Sequence, residues 1–285
     1  MGLEFENLNI TVVGLGLIGG SMAKAIRKHI NVKNLWAIEV NESIIKQSKQ
    51  ERIIDEGFIN PTYPLNHSDM VILCAYPNTN INFIKDNMHK MKKNCIITDT
   101  SGIKDKISRQ INEFIREDIY FVGGHPMAGK ECIGYEFSDS SIFEGASYIL
   151  TCNHNPGRQI EILKKLFYRI GFKEVSIMSP EKHDEMIAFT SQLPHLIACA
   201  LVNSDKFEQG LDCMGGSFKD ATRVAQINAE LWSQLIFENK DKLLRALAEF
   251  IDDLNKVYHI IDNDNKDIVQ SYFEKSTAKR KGLSI

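Results

Sequence analysis

Short apolar, β-branched runs recur through the first 180 positions of the chain, at Asn9–Gly14, Leu35–Glu39, Met70–Ala75, Cys95–Asp99, Tyr120–Gly123, Ser147–Thr151 and Glu174–Ile177. Their near-continuous apolarity suits parallel strands covered on both faces. Longer segments with helical spacing separate most of them, such as Ile18–His29, Ser43–Arg52 and Gln159–Ile170. This alternation predicts an α/β fold with a doubly wound parallel sheet.

A different pattern opens at Ser179-Pro180-Glu181. Serine at the N-cap, proline at the first helical position and an acid in the first turn are helix start signals. Met186, Ile187, Phe189, Leu193, Leu196, Ile197, Ala200 and Leu201 then form a wide apolar stripe. Leu231–Ile261 carries a second long helical pattern, and no strand is predicted after residue 179. Pro194 lies inside the first of these helices and should kink it, freeing a carbonyl one turn earlier. The boundary falls near residues 172–179. We expect a first domain over 1–175 and an all-α domain over 176–285.

The first predicted strand runs into Gly14-Leu15-Gly16-Leu17-Ile18-Gly19, a GxGxxG that opens a predicted helix. In that context the motif is a dinucleotide fingerprint, and the sheet is expected to be of Rossmann type. Gly14 permits the tight turn, Gly16 lets backbone approach a pyrophosphate, and Gly19 allows close helix–strand packing. The next strand ends at Glu39, 20 residues after Gly19. A carboxylate there should accept hydrogen bonds from the adenosine ribose and repel a 2′-phosphate. No Arg or Lys stands in Val40–Ile45, so NAD is expected rather than NADP.

Bulk composition narrows the remaining classes. Of the 285 residues 43% are hydrophobic and 25% charged, and the net charge of -3 gives no electrostatic footprint for nucleic acid. The four cations of Lys275–Lys281 read as a frayed, solvated end. The start, Met1 to Asn9, is polar and acidic and lacks a secretory pattern, and no apolar run approaches a membrane span. The six cysteines, 74, 95, 132, 152, 199 and 213, form no CxxC and suggest no metal site. They read as buried thiols of a reducing cytoplasm. A cytoplasmic protein binding a small molecule, with neither nucleic acid nor membrane as partner, is expected.

Two segments place polar groups at the carboxyl ends of strands, where α/β sheets bind ligands. They are Asp99-Thr100-Ser101-Gly102-Ile103-Lys104 and Gly123-Gly124-His125-Pro126-Met127-Ala128-Gly129-Lys130-Glu131. A histidine on a glycine-rich loop after a strand, downstream of a dinucleotide fingerprint, is a candidate catalytic base, so His125 is assigned that role. Its rate profile should rise with pH around the ordinary imidazole value of about 6.5.

The chain resembles the prephenate/arogenate dehydrogenase family over nearly its whole length. The resemblance rests on Gly14–Ser21, on Gly123–Gly129 and on Phe143-Glu144-Gly145-Ala146-Ser147-Tyr148-Ile149-Leu150-Thr151. It continues in His183-Asp184, Leu193-Pro194-His195 and Gly215-Gly216-Ser217-Phe218-Lys219-Asp220-Ala221-Thr222-Arg223. It implies NAD-dependent oxidative decarboxylation of prephenate to 4-hydroxyphenylpyruvate. His125 would bond the substrate hydroxyl, and a buried Arg223 would bind a substrate carboxylate. His195, His183, Gly216 and Ser101 would line the pocket, with Glu131 and Trp232 near its mouth. The family also implies a homodimer through the helical domain, with Trp232 reaching in from the partner.

Two positions depart from the family pattern. Ser101-Gly102 reverses a Gly-Ser pair, displacing the serine by one residue, and Gln192 stands where many relatives have a histidine. The residues leave other readings open. Arg223 could pair with Asp220 or Asp184. His195 could satisfy backbone freed by Pro194, His183 could face solvent, and Trp232 could be core or dimer interface. Arogenate is the alternative substrate. A 3-hydroxyacid dehydrogenase is disfavoured by the lack of lysine in Ala188–Ala200, and a non-catalytic NAD-binding sensor by the joint presence of His125 and Arg223.

Overall fold

Strands β1 (Asn9–Val13), β2 (Asn34–Ile38), β3 (Glu56–Phe58), β4 (Met70–Leu73), β5 (Ile96–Asp99), β6 (Tyr120–Pro126), β7 (Ser147–Thr151) and β8 (Glu174–Met178) join in one sheet. Their order is β3-β2-β1-β4-β5-β6-β7-β8. The structure, a computed structural model, describes residues 5–152 and 157–282; residues 1–4 of the polar start lie outside these. Helices α1 (Leu17–His29), α2 (Glu42–Gln50), α3 (Thr62–His67), α4 (Pro77–Asn87), α5 (Asp105–Phe114) and α6 (Arg158–Arg169) connect the strands.

Successive strand residues point to opposite faces, and the core divides accordingly. Ile10, Val12, Ile72, Met22 and Leu166 pack in one buried cluster, while Val13, Val71, Leu73, Ile107 and Ile111 pack in another. Strands β1 to β6 are mutually parallel. The expectation of a wholly parallel sheet is corrected at β7, which runs antiparallel to β6 and carries β8 parallel to itself. A parallel return needs a crossover element. Between β6 and β7 there are only the short 3-10 turns Tyr135–Phe137 and Ser140–Phe143, so the chain doubles back.

Strand β3 was not legible as a strand: it is three residues long, at the sheet edge, with Gly57 at its centre. Strand β6 was expected to end at Gly123, which would put His125 on a loop. The antiparallel ladder instead continues through Gly124↔Leu150, His125↔Ile149 and Pro126↔Tyr148.

After β8 come α7 (Pro180–Ile187), α8 (Leu193–Val202), α9 (Lys206–Gln209), α10 (Gly216–Thr222) and α11 (Ala229–Glu238). Ser179 caps α7 as expected, its side chain accepting from Lys182 N. The expected disturbance at Pro194 is a π-helical turn, Ala188–Gln192, between α7 and α8. Pro180–Val202 is therefore one helical run, long and apolar enough by length and composition to span a membrane, contrary to the reading that no run approaches a span. Its polar residues His183, Asp184 and Gln192 are buried inside the fold, while Phe189 and Leu201 on the same run are exposed.

Contacts divide the chain into residues 1–239 and 240–285. The second unit pairs α12 (Lys240–Asp262) with α13 (Lys266–Lys281). The long pattern Leu231–Ile261 is thus two helices, interrupted at Asn239, whose backbone leaves the helical region at φ -117° and ψ 22°. The basic tail lies within α13 rather than forming a frayed end, and Lys279, Arg280 and Lys281 in its last turn suit a helix C-terminus. Leu244, Ile251, Leu254, Tyr258, Ile261, Ile268 and Phe273 are exposed on this unit.

Candidate active site

The glycine loop has the geometry its sequence called for. Gly14 takes φ +84°, and a Cβ on Gly19 would stand 1.8 Å from the Gly14 carbonyl oxygen. Gly16 caps α1 with open space around its Cα. No side chain caps α1 and no acid stands in its first turn, so the leading N–H groups face an open cradle suited to a diphosphate. Glu39 follows β2 and holds this loop, accepting from Leu15 N (2.7 Å) and from Asn41 N (3.0 Å). One bond per oxygen leaves each with a lone pair for a ribose hydroxyl. Leu17 and Ile18 open α1 behind Gly16. The residues present fit a dinucleotide.

His125 lies where β5, β6 and α7 meet. Its Nδ1 is 2.9 Å from His183 Nε2, and His183 Nδ1 is 2.6 Å from Asp184 Oδ1. The Asp184 carboxylate also accepts from Lys104 N (2.8 Å) and Asp105 N (2.9 Å), fixing the start of α5 against α7. His183 and Asp184 are buried, which excludes the solvent-facing reading of His183. Its ring nitrogens both face protein groups, so it stands behind His125 rather than on an open pocket wall.

A second buried group supports the strand that carries His125. Lys104 Nζ lies 2.5 Å from Asp99 Oδ2, with neither side chain exposed. Asp99 accepts from Gly124 N (3.1 Å) and from Ser101 N (3.1 Å). Burial lowers the Lys104 pKa and the Asp99 charge opposes this. Gly124 is obligatory here, since a Cβ would meet Tyr148 Oη at 2.3 Å and Asp99 O at 2.6 Å.

Ser101 is nearly buried, and its Oγ accepts from Asn80 Nδ2 at 3.2 Å. Gly102, not Ser101, abuts the histidine: a Cβ there would be 3.8 Å from His125 Nε2 and 3.4 Å from a Leu235 methyl. The displaced serine therefore serves Asn80, and the His125 Nε2 edge is nearest Gly102 and the Leu235 side chain. Gln192 is structural, donating to Leu235 O (2.9 Å) and accepting from Asn239 Nδ2 (2.8 Å).

The remaining candidates make two separate contacts, His195 with Trp232 and Arg223 with Glu131. His195 Nδ1–H donates to Ser191 O (2.8 Å), a backbone carbonyl close to Pro194. Its ring also stacks on Trp232, centroids 4.0 Å apart. Arg223 pairs with Glu131 rather than with Asp220 or Asp184. The expectation of a buried arginine is corrected, because the Arg223 side chain is 63% exposed. Gly216 is exposed at the start of α10. The thiols are also less buried than expected: Cys95 is buried, Cys213 is exposed and the other four are intermediate.

Burial holds the His125 imidazole well below its ordinary pKa, and the neighbouring His183 and Lys104 add to this. Burial lowers His183 as well, against the attraction of Asp184. Both rings are neutral at neutral pH, as a histidine base requires. The sequence singles out Asp99 and Lys104 without giving them roles and Asp184 only as a possible partner of Arg223, and it does not point to Asn80. A lysine and two acids on segments with few exposed positions were the available signal.

Comparison with known proteins agrees with this geometry. The family model for the prephenate dehydrogenase nucleotide-binding domain matches residues 22–176, and that for the prephenate dehydrogenase dimerization domain matches 179–275. Cyclohexadienyl dehydrogenase of Zymomonas mobilis is 30% identical over 96% of each chain. Prephenate dehydrogenase of Bacillus subtilis is 29% identical over 97% of this chain and 76% of its own. Prephenate dehydrogenase from A. aeolicus, solved in complex with hydroxyphenyl propionate and NAD+, superimposes with a TM-score of 0.86 at 29% identity, covering 96% of this chain and 97% of that one. With a dinucleotide cradle, a neutral histidine at the carboxyl ends of the strands and family matches over both halves, the chain belongs to the prephenate dehydrogenase family of NAD-dependent oxidoreductases.

Proposed function

We propose that this chain oxidises and decarboxylates prephenate to 4-hydroxyphenylpyruvate with NAD. The observation that carries this reading is His125, held neutral by its surroundings yet partly exposed, with Nε2 on the Gly102 side of the ring. Bound NAD supplies the hydride acceptor. His125 Nε2 draws the proton of the substrate hydroxyl, raising electron density on oxygen as the adjacent carbon gives up hydride. Loss of CO₂ aromatises the ring, and the phenolate oxygen takes the proton back. Arg223 offers a planar fork to a substrate carboxylate, exchanging the Glu131 carboxylate for it. His195 and Trp232 form one wall of the pocket. Ser101 acts through Asn80, Glu131 and Gly216 border the entrance, and Gly14–Gly19 with Glu39 hold the dinucleotide.

The same reading divides the chain at 175/176 into nucleotide-binding and substrate-binding halves, with the second building a homodimer. Exposed Leu244, Ile251, Leu254 and Phe273 support that assembly, since two helices cannot cover one another's apolar residues on every side. Light scattering at micromolar concentration should give twice the chain mass. A cytoplasmic location fits the six free thiols.

The deciding assay offers prephenate and arogenate, each with NAD and with NADP, and follows reduced nicotinamide. Prephenate with NAD should give the highest kcat/KM, with NADP at least about tenfold lower because of Glu39. Turnover of neither substrate would overturn the reading, and preference for arogenate would move it to the alternative substrate.

A further inference from the structure

His183 lies between a carboxylate and the histidine assigned as base, and the order of donors along that chain is forced. Asp184 Oδ1 accepts from Lys104 N and Oδ2 accepts from Asp105 N, so the group is placed as an acceptor, not a donor. His183 Nδ1, 2.6 Å from Asp184 Oδ1, must then carry a proton. In the neutral ring His183 Nε2 is consequently a lone pair. His125 Nδ1, 2.9 Å away, must donate to it. That leaves His125 Nε2 without a proton, on the edge of the ring nearest Gly102.

We propose that Asp184 and His183 are positioning residues that hold His125 as its Nδ1–H tautomer, so that Nε2 always presents a lone pair to the substrate hydroxyl. The inference rests on the reading of His125 as the base but makes a claim about the resting protein. When the hydroxyl proton moves to Nε2, the O–H electron pair stays on oxygen and the Nδ1 proton shifts toward His183 Nε2. The positive charge then spreads toward Asp184, instead of resting on a ring whose surroundings disfavour a cation. The proton returns to the phenolate oxygen by the same route, so the relay is reset each turnover without exchange with solvent.

A wrong tautomer would place an N–H against the substrate hydroxyl, where no proton could be accepted. Among the described residues no other group contacts His125 Nδ1 in place of His183, so the lock depends on one side chain. Glutamine can replace it in kind: its amide N–H can donate to Asp184 while its carbonyl oxygen accepts from His125. Leucine fills similar space and offers neither.

The test is long-range ¹H–¹⁵N NMR on the full chain labelled at histidine, with His125 assigned by its loss in His125→Asn. The wild type should show neutral His125 protonated on Nδ1. His183→Gln should keep that signature and a kcat within about tenfold, and His183→Leu should lose it, with kcat down about 10²–10⁴ and NAD affinity unchanged. A wild-type His125 protonated on Nε2 would overturn the proposal, as would full kcat in His183→Leu. The wild-type spectrum decides the point even if His183→Leu fails to fold. It is read without turnover, so it stands apart from the choice of substrate.

Discussion

Lys104 and Asp99 form an ion pair 2.5 Å long in which neither side chain meets solvent. A buried pair carries a desolvation cost that its attraction and hydrogen bonds must offset. Here the carboxylate does more than neutralise the lysine. It receives the backbone N–H of Gly124, one residue before His125, and that of Ser101. Removing the ammonium strands a buried charge beside the strand that carries His125.

Lys104→Met should accordingly destabilise the fold by about 3–5 kcal/mol, the usual cost of breaking such a pair. Chemical denaturation measures this. A loss below about 1 kcal/mol would mean that Asp99 finds another partner or takes up a proton.

The pH dependence follows from the desolvation of the half-buried His125 ring. Sequence alone places the acid limb of the rate near the ordinary imidazole value of about 6.5, whereas burial, His183 and Lys104 hold the group well below that. The neutral ring is the active form, so the rate rises with pH through the lowered pKa and is flat with respect to this group from 6.5 upward. The same shift acts on stability. The folded-state pKa lies below the unfolded value, so this contribution is fully present above about 6.5 and is lost as pH falls toward the folded value. A kcat/KM profile should show its acid limb below 6.5, and a midpoint at or above 6.5 would contradict the buried geometry.

Arg223 and Glu131 offer the opposite case, an exposed pair. Exposed pairs contribute little to stability, about 0–1 kcal/mol. Arg223→Ala should therefore leave the unfolding free energy nearly unchanged and NAD affinity intact. It should weaken kcat/KM for prephenate by about 2–5 kcal/mol, because bound substrate would desolvate the arginine. A mutant that unfolds or loses NAD would make this arginine structural.

Much of this architecture could be read from the chain, for identifiable reasons. The glycine fingerprint, the Ser179 cap and the position of Glu39 are local signals, set by a few adjacent residues and visible in sequence. What escaped depends on contacts distant in the chain. The reversal of β7 depends on the β6–β7 connection, since the strand patterns themselves do not distinguish parallel from antiparallel pairing. The extension of β6 past His125 needs its β7 partner. The burial of His183 was hidden because Asp184 reaches back 80 residues to Lys104. The exposure of Arg223 was missed because an arginine in a conspicuous motif reads as buried. Ser101 was singled out for its hydroxyl, while the informative residue was its neighbour Gly102, which has no side chain to notice.

The central claim is that His125 is the base of an NAD-dependent oxidation. Asparagine is similar in size and keeps hydrogen-bonding capacity, but cannot take up a proton near neutral pH. The most direct measurement is kcat for His125→Asn with prephenate and NAD, taken together with the NAD dissociation constant and the unfolding midpoint. The account predicts kcat lower by about 10²–10⁴, with NAD affinity and stability close to wild type. A folded mutant that binds NAD and turns over at the wild-type rate would contradict it.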